Sequence, residues 1–145
     1  MLELSKVQFL EAIENLYEAL KILDSVRQEI ASGAMRGMVI SENLAEAWYK
    51  VNCCRLHTQE DVNLEEFTLE AMGLINDAKC MIDSLLSWNK GMTRQANFSI
   101  VENISFAAKN IFVVLSQLED WLSNLKDEGE LTASSKSSHN HSSSI

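Results

Sequence analysis

The stretch Ile111-Phe112-Val113-Val114-Leu115 is the longest uninterrupted run of large apolar residues in this chain. It lies near the middle of a segment, Ser99 to Lys126, whose other apolar residues recur with helical spacing. Because successive residues of a helix are about 100° apart, five consecutive apolar positions cover every face of it. A turn of this kind is normally enclosed on several sides, so we expect the other segments to pack around this one.

A helical wheel centred on Ile111 separates this segment into two faces. The residues within about 60° of Ile111 form a core face: Ile104, Ala107, Ala108, Val114, Leu115, Leu118, Leu122 and Leu125. Phe106 and Val113 fall together on nearly the opposite side, with Phe112 beside them. An exposed apolar strip on a soluble helix often marks an interface. These three residues are therefore candidate interface residues, unless a loop or the second helix covers them within the monomer.

Three further helices are predicted upstream, each from a start signal and an apolar period. We expect helices near residues 5–33, 41–57, 63–89 and 99–127, with start signals at Ser5, Ser41, Asn63 and Ser99. Gly33 is a candidate left-handed C-cap for the first helix. Residues 57–62 have no period and indicate a loop. The third segment carries a seven-residue repeat typical of a seam between packed helices: Phe67, Ala71, Leu74, Ala78, Met81, Leu85 and Trp88.

These elements predict an all-α fold, an antiparallel four-helix bundle whose short connections favour up-down-up-down neighbours. The alternative is a three-helix core with the short second helix lying across one end. Residues 1–129 are assigned to a single helical domain. After Gly129 the chain is mostly serine, which buries too little apolar surface to offset the entropy of ordering, so residues 130–145 are predicted to be a disordered tail.

Composition excludes more classes of function than any motif does. The net charge is −9, from 21 acidic and 12 basic side chains, and this balance argues against binding to nucleic acid or to an anionic membrane. Lys109 interrupts the most apolar window, so no membrane span is expected. The N-terminus lacks a secretory signal, and three cysteines do not make a disulfide framework. A reducing, cytosolic location follows as the expectation.

One stretch concentrates acidic residues, with no lysine or arginine between Arg55 and Lys79. The acidic residues concentrate between positions 60 and 70: Glu60, Asp61, Glu65, Glu66 and Glu70. Acids in the first turn of a helix complement its dipole, which accounts for Glu65 and Glu66 without a function. The alternative is that this stretch docks a basic partner, or imitates the charge of DNA as a decoy of a nucleic-acid-binding protein.

The cysteines offer the only candidate chemistry. Cys53, Cys54 and His57 lie close in sequence and supply soft ligands, but zinc needs four ligands in a tetrahedral array and no CxxC is present. On a helix Cys53 and His57 share one face while Cys54 points about 100° away. Cys53 and His57 are therefore weak metal candidates, and no catalytic residue and no cofactor is predicted.

The sequence therefore favours a non-enzymatic protein–protein interaction or regulatory module. Its expected partner is another protein or itself, with self-association through the fourth helix. The alternative in a different class is a small thiol- or metal-dependent protein that uses Cys53, Cys54 and His57.

Overall fold

The computed structural model describes residues 3–33, 36–87 and 94–137, with side chains described as far as Leu125. Within these ranges the chain forms four helices: α1 (Lys6–Ser32), α2 (Gly37–Thr58), α3 (Val62–Ser87) and α4 (Arg94–Ser137). No strand occurs in the described ranges. The predicted all-α class is confirmed.

The helices pack in the order of the chain, and α4 closes the ring against α1. Each helix contacts its two neighbours, while helices on opposite corners barely touch. Few residues separate the end of α1 at Ser32 from the start of α2 at Gly37, and the end of α2 at Thr58 from the start of α3 at Val62, as expected for antiparallel neighbours. The predicted antiparallel four-helix bundle is therefore confirmed, and α2 lies along both α1 and α3 rather than across one end. The expectation that the other segments surround the fourth helix is wrong, because α4 occupies a corner between α1 and α3.

Both predicted ends of α1 are confirmed. The Ser5 hydroxyl accepts a hydrogen bond from the backbone N–H of Gln8 at 3.2 Å. The Ser5 backbone N–H donates to the Gln8 side-chain oxygen at 2.9 Å, which completes the capping box. Gly33 adopts a left-handed conformation with φ of 80°, and its N–H donates to the carbonyl of Ile30. A β-carbon would be strained in this conformation, so the position suits glycine.

The other three helices begin earlier than predicted. α2 starts at Gly37, so Ser41 lies inside the helix and is buried. The Asp61 carboxylate accepts from the backbone N–H of Leu64 at 3.0 Å, so Asp61 takes the capping position expected for Asn63. α4 starts at Arg94, five residues before Ser99. A serine or asparagine just before a run of helical spacing is typical of an N-cap. In α2, however, the buried Ile40 precedes Ser41, so the helix begins on the N-terminal side of that serine.

In α3 the buried row differs from the predicted heptad. Of that heptad, Ala71 and Ala78 are buried, whereas Phe67, Leu74 and Met81 are only partly buried. The buried side chains of α3 are Leu64, Thr68, Ala71, Met72, Ile75, Ala78 and Ile82. Two adjacent apolar rows run along this helix, and its corner position between α2 and α4 selects the row through Ile75 and Ile82. Trp88, the last predicted member, lies outside the described residues.

The core face predicted for α4 is confirmed. Ala108 and Leu125 are partly buried, and the other predicted members are buried: Ile104, Ala107, Ile111, Val114, Leu115, Leu118 and Leu122. Ile100, which was not among the predicted residues, is buried as well. The helical backbone continues to Ser137 and so includes the first residues of the predicted tail. Residues 138–145 lie outside the described ranges, and the division into domain and tail stays a prediction.

Candidate interaction face on helix α4

The outer side of α4 carries large apolar side chains that nothing in the described bundle covers. Phe106, Phe112 and Val113 are 46%, 56% and 44% exposed. α2 cannot cover them because it occupies the opposite corner of the bundle. In the same run of five residues Ile111, Val114 and Leu115 are buried, so the run serves the core with one side and faces outward with the other.

Phe98 belongs to the same side, and sequence reasoning missed it. It is 67% exposed, more than any of the three predicted residues. With the helix start placed at Ser99, Phe98 had no position on the helical wheel. The helix in fact begins at Arg94, and at 100° per residue Phe98 lies about 60° from Val113. Extending the wheel by one turn towards the N-terminus would have found it.

Charged residues are interspersed among these apolar ones. The Lys109 ammonium lies 5.5 Å from the centroid of the Phe106 ring, within range of a cation–π contact. Glu102 precedes Lys109 by seven residues, so it lies on the same side of the helix, and both are exposed. Neither forms an ion pair with another described residue. We call the set Phe98, Glu102, Phe106, Lys109, Phe112 and Val113 the α4 outer face.

Shallow hollows lie along the α4 outer face and beside it. Phe112 and Val113 line one of them with Ser116, Gln117 and Asp120. A second hollow lies between α3 and α4 and is lined by Glu66, Phe67, Leu69, Glu70 and Asn110. Neither is an enclosed cavity for a small molecule, which would need a concave and largely closed wall. A broad, convex helix face suits a protein surface better.

Two side-chain hydrogen bonds join α1 to α4 beside the α4 outer face. The Tyr17 hydroxyl donates to the Glu119 carboxylate at 2.6 Å, and this hydrogen bond raises the pKa of Tyr17. The Arg27 guanidinium donates to the Ser105 hydroxyl at 3.4 Å.

Two of the five predicted acidic-surface residues are engaged in the fold. Asp61 caps α3, and Glu65 accepts from Arg55 on α2 at 3.2 Å. Glu60, Glu66 and Glu70 are exposed, and Glu66 and Glu70 line the hollow between α3 and α4. The acidic stretch is thus divided between helix capping, an interhelical ion pair and a solvated edge.

The three cysteines differ in burial. Cys54 is buried, and desolvation raises the pKa of its thiol to about 12, whereas Cys53 is partly buried and Cys80 is exposed. His57 Nε2 lies 3.7 Å from a Glu11 carboxylate oxygen on α1. Across the described part of the chain, no three of the His, Cys, Asp and Glu side chains come together as a set of metal ligands. The weak metal candidates Cys53 and His57 therefore have no third ligand there.

The apolar outer face also affects the hydropathy of α4. Between Arg94 and Leu125 this helix is long and apolar enough to cross a membrane by length and composition alone. Only 33% of its most apolar window is buried within the bundle. A core helix of a soluble bundle meets the same criteria, and here the outward-facing Phe106, Phe112 and Val113 add to the hydropathy. The absence of a membrane span stays a prediction.

Comparisons with protein-family models, with curated proteins and with solved structures find no match to this chain. The argument for function therefore depends on the surface of the bundle. Large apolar side chains such as Met38, Tyr49 and Val62 are exposed on the other helices too, but within the described residues exposed phenylalanines occur on α4 alone.

Proposed function

We propose that the chain is a non-enzymatic interaction module of the cytosol that associates with itself through the α4 outer face. The observation that carries the proposal is the distribution of its phenylalanines. The chain has five, and three of them, Phe98, Phe106 and Phe112, are exposed on this one helix. Phe9 is fully buried and Phe67 is partly buried.

Single exposed apolar residues need no explanation, because more than half of a typical protein surface is apolar. Several aromatic side chains along one helix are different, because large rings contribute most of the energy at protein interfaces. From Phe98 to Val113 the strip is about 22 Å long at 1.5 Å per residue. That length suits a contact between two helices better than a small-molecule site.

Charge supports a protein partner over the other classes. The net charge of −9 opposes binding to phosphate backbones and to anionic lipid. Several of the described ionisable groups are engaged in ion pairs between helices, such as Lys50 with Glu18 and Arg55 with Glu65. The buried Cys54 thiol is poorly placed as a nucleophile because the thiolate is disfavoured there.

The test is the oligomeric state of the full chain, measured by sedimentation velocity over a concentration series. The double substitution Phe106→Glu with Val113→Glu places two charges on the α4 outer face. We expect the wild type to form dimers as concentration rises and this variant to remain monomeric with unchanged helicity by circular dichroism.

The matched control is Tyr49→Glu with Leu56→Glu. These residues lie seven positions apart on α2, and they are 60% and 55% exposed. The control adds the same charge at the same spacing on another corner and should still dimerise. A wild type that stays monomeric at every concentration, or a Phe106/Val113 variant that dimerises like the wild type, would overturn the proposal.

A further inference from the structure

The α4 outer face carries two opposite charges among its apolar residues, and their spacing defines a pairing. In chain order the central line of the face reads Phe98, Glu102, Phe106, Lys109 and Val113, with steps of four, four, three and four residues. Such steps keep all five within about 60° of Val113 on a helix. The order is symmetrical about a point between Ser105 and Phe106, apart from the opposite signs of Glu102 and Lys109.

We infer that the partner of this face is the α4 outer face of a second copy, packed antiparallel about a twofold axis between Ser105 and Phe106. This inference rests on the proposed function and adds the register of the contact. A twofold contact uses the same surface on both copies. A residue that precedes the axis by a given number of positions therefore meets the residue of the other copy that follows the axis by the same number. Glu102 of each copy then lies level with Lys109 of the other.

The same register also matches the apolar residues. Phe98 of each copy lies level with Val113 of the other, and the two Phe106 rings meet at the axis. The contact therefore has an aromatic centre, an ion pair on each side of it and an apolar pair beyond each ion pair. The Lys109 ammonium already lies over the Phe106 ring, 5.5 Å from its centroid, which holds this charge near the axis.

Other pairings of the two faces fit less well. In a parallel pair Glu102 meets Glu102 and Lys109 meets Lys109, so every charged contact on the face is repulsive.

A second antiparallel register places Lys109 opposite Asp120 and has its axis between Val114 and Leu115. That register sets Phe106 opposite Ser123 and Val113 opposite Ser116, so apolar side chains meet polar ones. In the register with Glu102 opposite Lys109, the residues of the central line pair charge with charge and apolar with apolar, while Phe112, at the edge of the face, lies level with Ser99.

Charge reversal tests the register. The single variants Glu102→Lys and Lys109→Glu each place two like-charge contacts in the homodimer. Because these contacts repel, we expect each homodimer to dissociate about tenfold more readily than the wild type, a change of about 1.4 kcal/mol. The double variant Glu102→Lys with Lys109→Glu exchanges the charges and should dimerise like the wild type. An equal mixture of the two single variants should form mixed dimers in preference to either homodimer.

Sedimentation velocity measures the dissociation constants, and native mass spectrometry with one variant labelled with nitrogen-15 counts the mixed dimers. Glu42→Lys and Lys21→Glu, which are exposed on α2 and α1, control for the change in net charge and should leave dimerisation unchanged.

Single variants that dimerise like the wild type, or a mixture with no preference for mixed dimers, would overturn the register. If the Phe106→Glu and Val113→Glu variant is nevertheless monomeric, self-association through the face is retained and only this register fails. A wild type that never dimerises overturns both.

Discussion

The hydroxyl of Ser41 on α2 donates a hydrogen bond to the Asp83 carboxylate on α3, with 2.6 Å between the two oxygens. The other carboxylate oxygen of Asp83 accepts from the Lys79 ammonium at 2.7 Å. Ser41 is buried, and this bond gives its hydroxyl a partner on the neighbouring helix. A residue that resembled a helix cap in the sequence thus joins two helices.

We predict that Ser41→Ala lowers the free energy of unfolding by about 1 kcal/mol, because it removes one hydrogen bond to a charged group whose carboxylate remains partly hydrated. Urea denaturation followed by circular dichroism measures the change. Ser87, the last residue of α3, is exposed, and Ser87→Ala serves as the control. A Ser41→Ala variant as stable as this control would show that the bond contributes nothing.

The stability contributed by Asp83 should depend on pH. The Lys79 ammonium and the Ser41 hydroxyl lower the pKa of Asp83 below its ordinary value of 3.8. The folded chain therefore holds this proton less tightly than the unfolded chain, so the contribution is full above the unfolded pKa and is lost as the pH falls through the folded pKa. The stability difference between the wild type and Asp83→Asn should be constant near neutral pH and shrink below about pH 4. Urea titrations at several pH values measure it, and a difference that grows on acidification would contradict the assignment.

Gly33 provides a test of backbone conformation that does not involve side-chain contacts. A β-carbon at Gly33 would meet no atom within 4 Å, but φ is 80° there. Gly33→Ala should therefore lower the free energy of unfolding by about 1 kcal/mol through backbone strain alone. Gly73 lies inside α3 with open space around it, so Gly73→Ala should raise stability by about 0.5 to 1 kcal/mol because alanine favours the helix. Thermal denaturation of both variants measures the pair, and shifts of the same sign would refute the explanation.

The sequence was most informative where one local signal determines one feature. The Ser5 and Gln8 capping box, the Gly33 cap and the apolar face around Ile111 depend on neighbours within a few residues, and all three are found in the structure. The start of α2 and the buried row of α3 depend on which helices lie beside them. A single-helix pattern does not contain that information, so it predicts a cap at Ser41 and a core position at Phe67.

The candidate face shows the same limit. Phe106 and Val113 were recognisable because their positions oppose a core face that was already clear. Phe98 was not recognisable because its place depends on where α4 begins, and residues 94–98 carry no strong start signal. The exposure of Phe106 and Val113 likewise depends on the tertiary fold, because α4 lies at a corner of the bundle and contacts only α1 and α3 extensively.

The three thiols should react with Ellman's reagent in an order determined by exposure. Cys80 is exposed and should react first, and the partly buried Cys53 should follow. Cys54 is buried with its pKa raised to about 12, so it should react only as fast as the bundle opens. Stopped-flow absorbance on the wild type and on Cys54→Ser separates the phases, because the variant should lack only the slowest one. A fast phase that disappears with Cys54→Ser would favour the thiol-dependent alternative instead.

Ile111 and Phe112 are adjacent in the chain, yet alanine at each should affect a different property. Ile111 is 1% exposed, so Ile111→Ala removes packed core volume and should lower the free energy of unfolding by about 2 to 5 kcal/mol. Phe112 is 56% exposed, so Phe112→Ala should change stability by less than about 1 kcal/mol while weakening dimerisation. Urea denaturation at a concentration where the chain is monomeric measures the first effect, and sedimentation velocity measures the second. If Phe112→Ala lost as much stability as Ile111→Ala, Phe112 would be part of the core and would not be available to a second copy. If Phe112→Ala changed neither stability nor dimerisation, the apolar contact between two copies would depend on Phe98, Phe106 and Val113 alone.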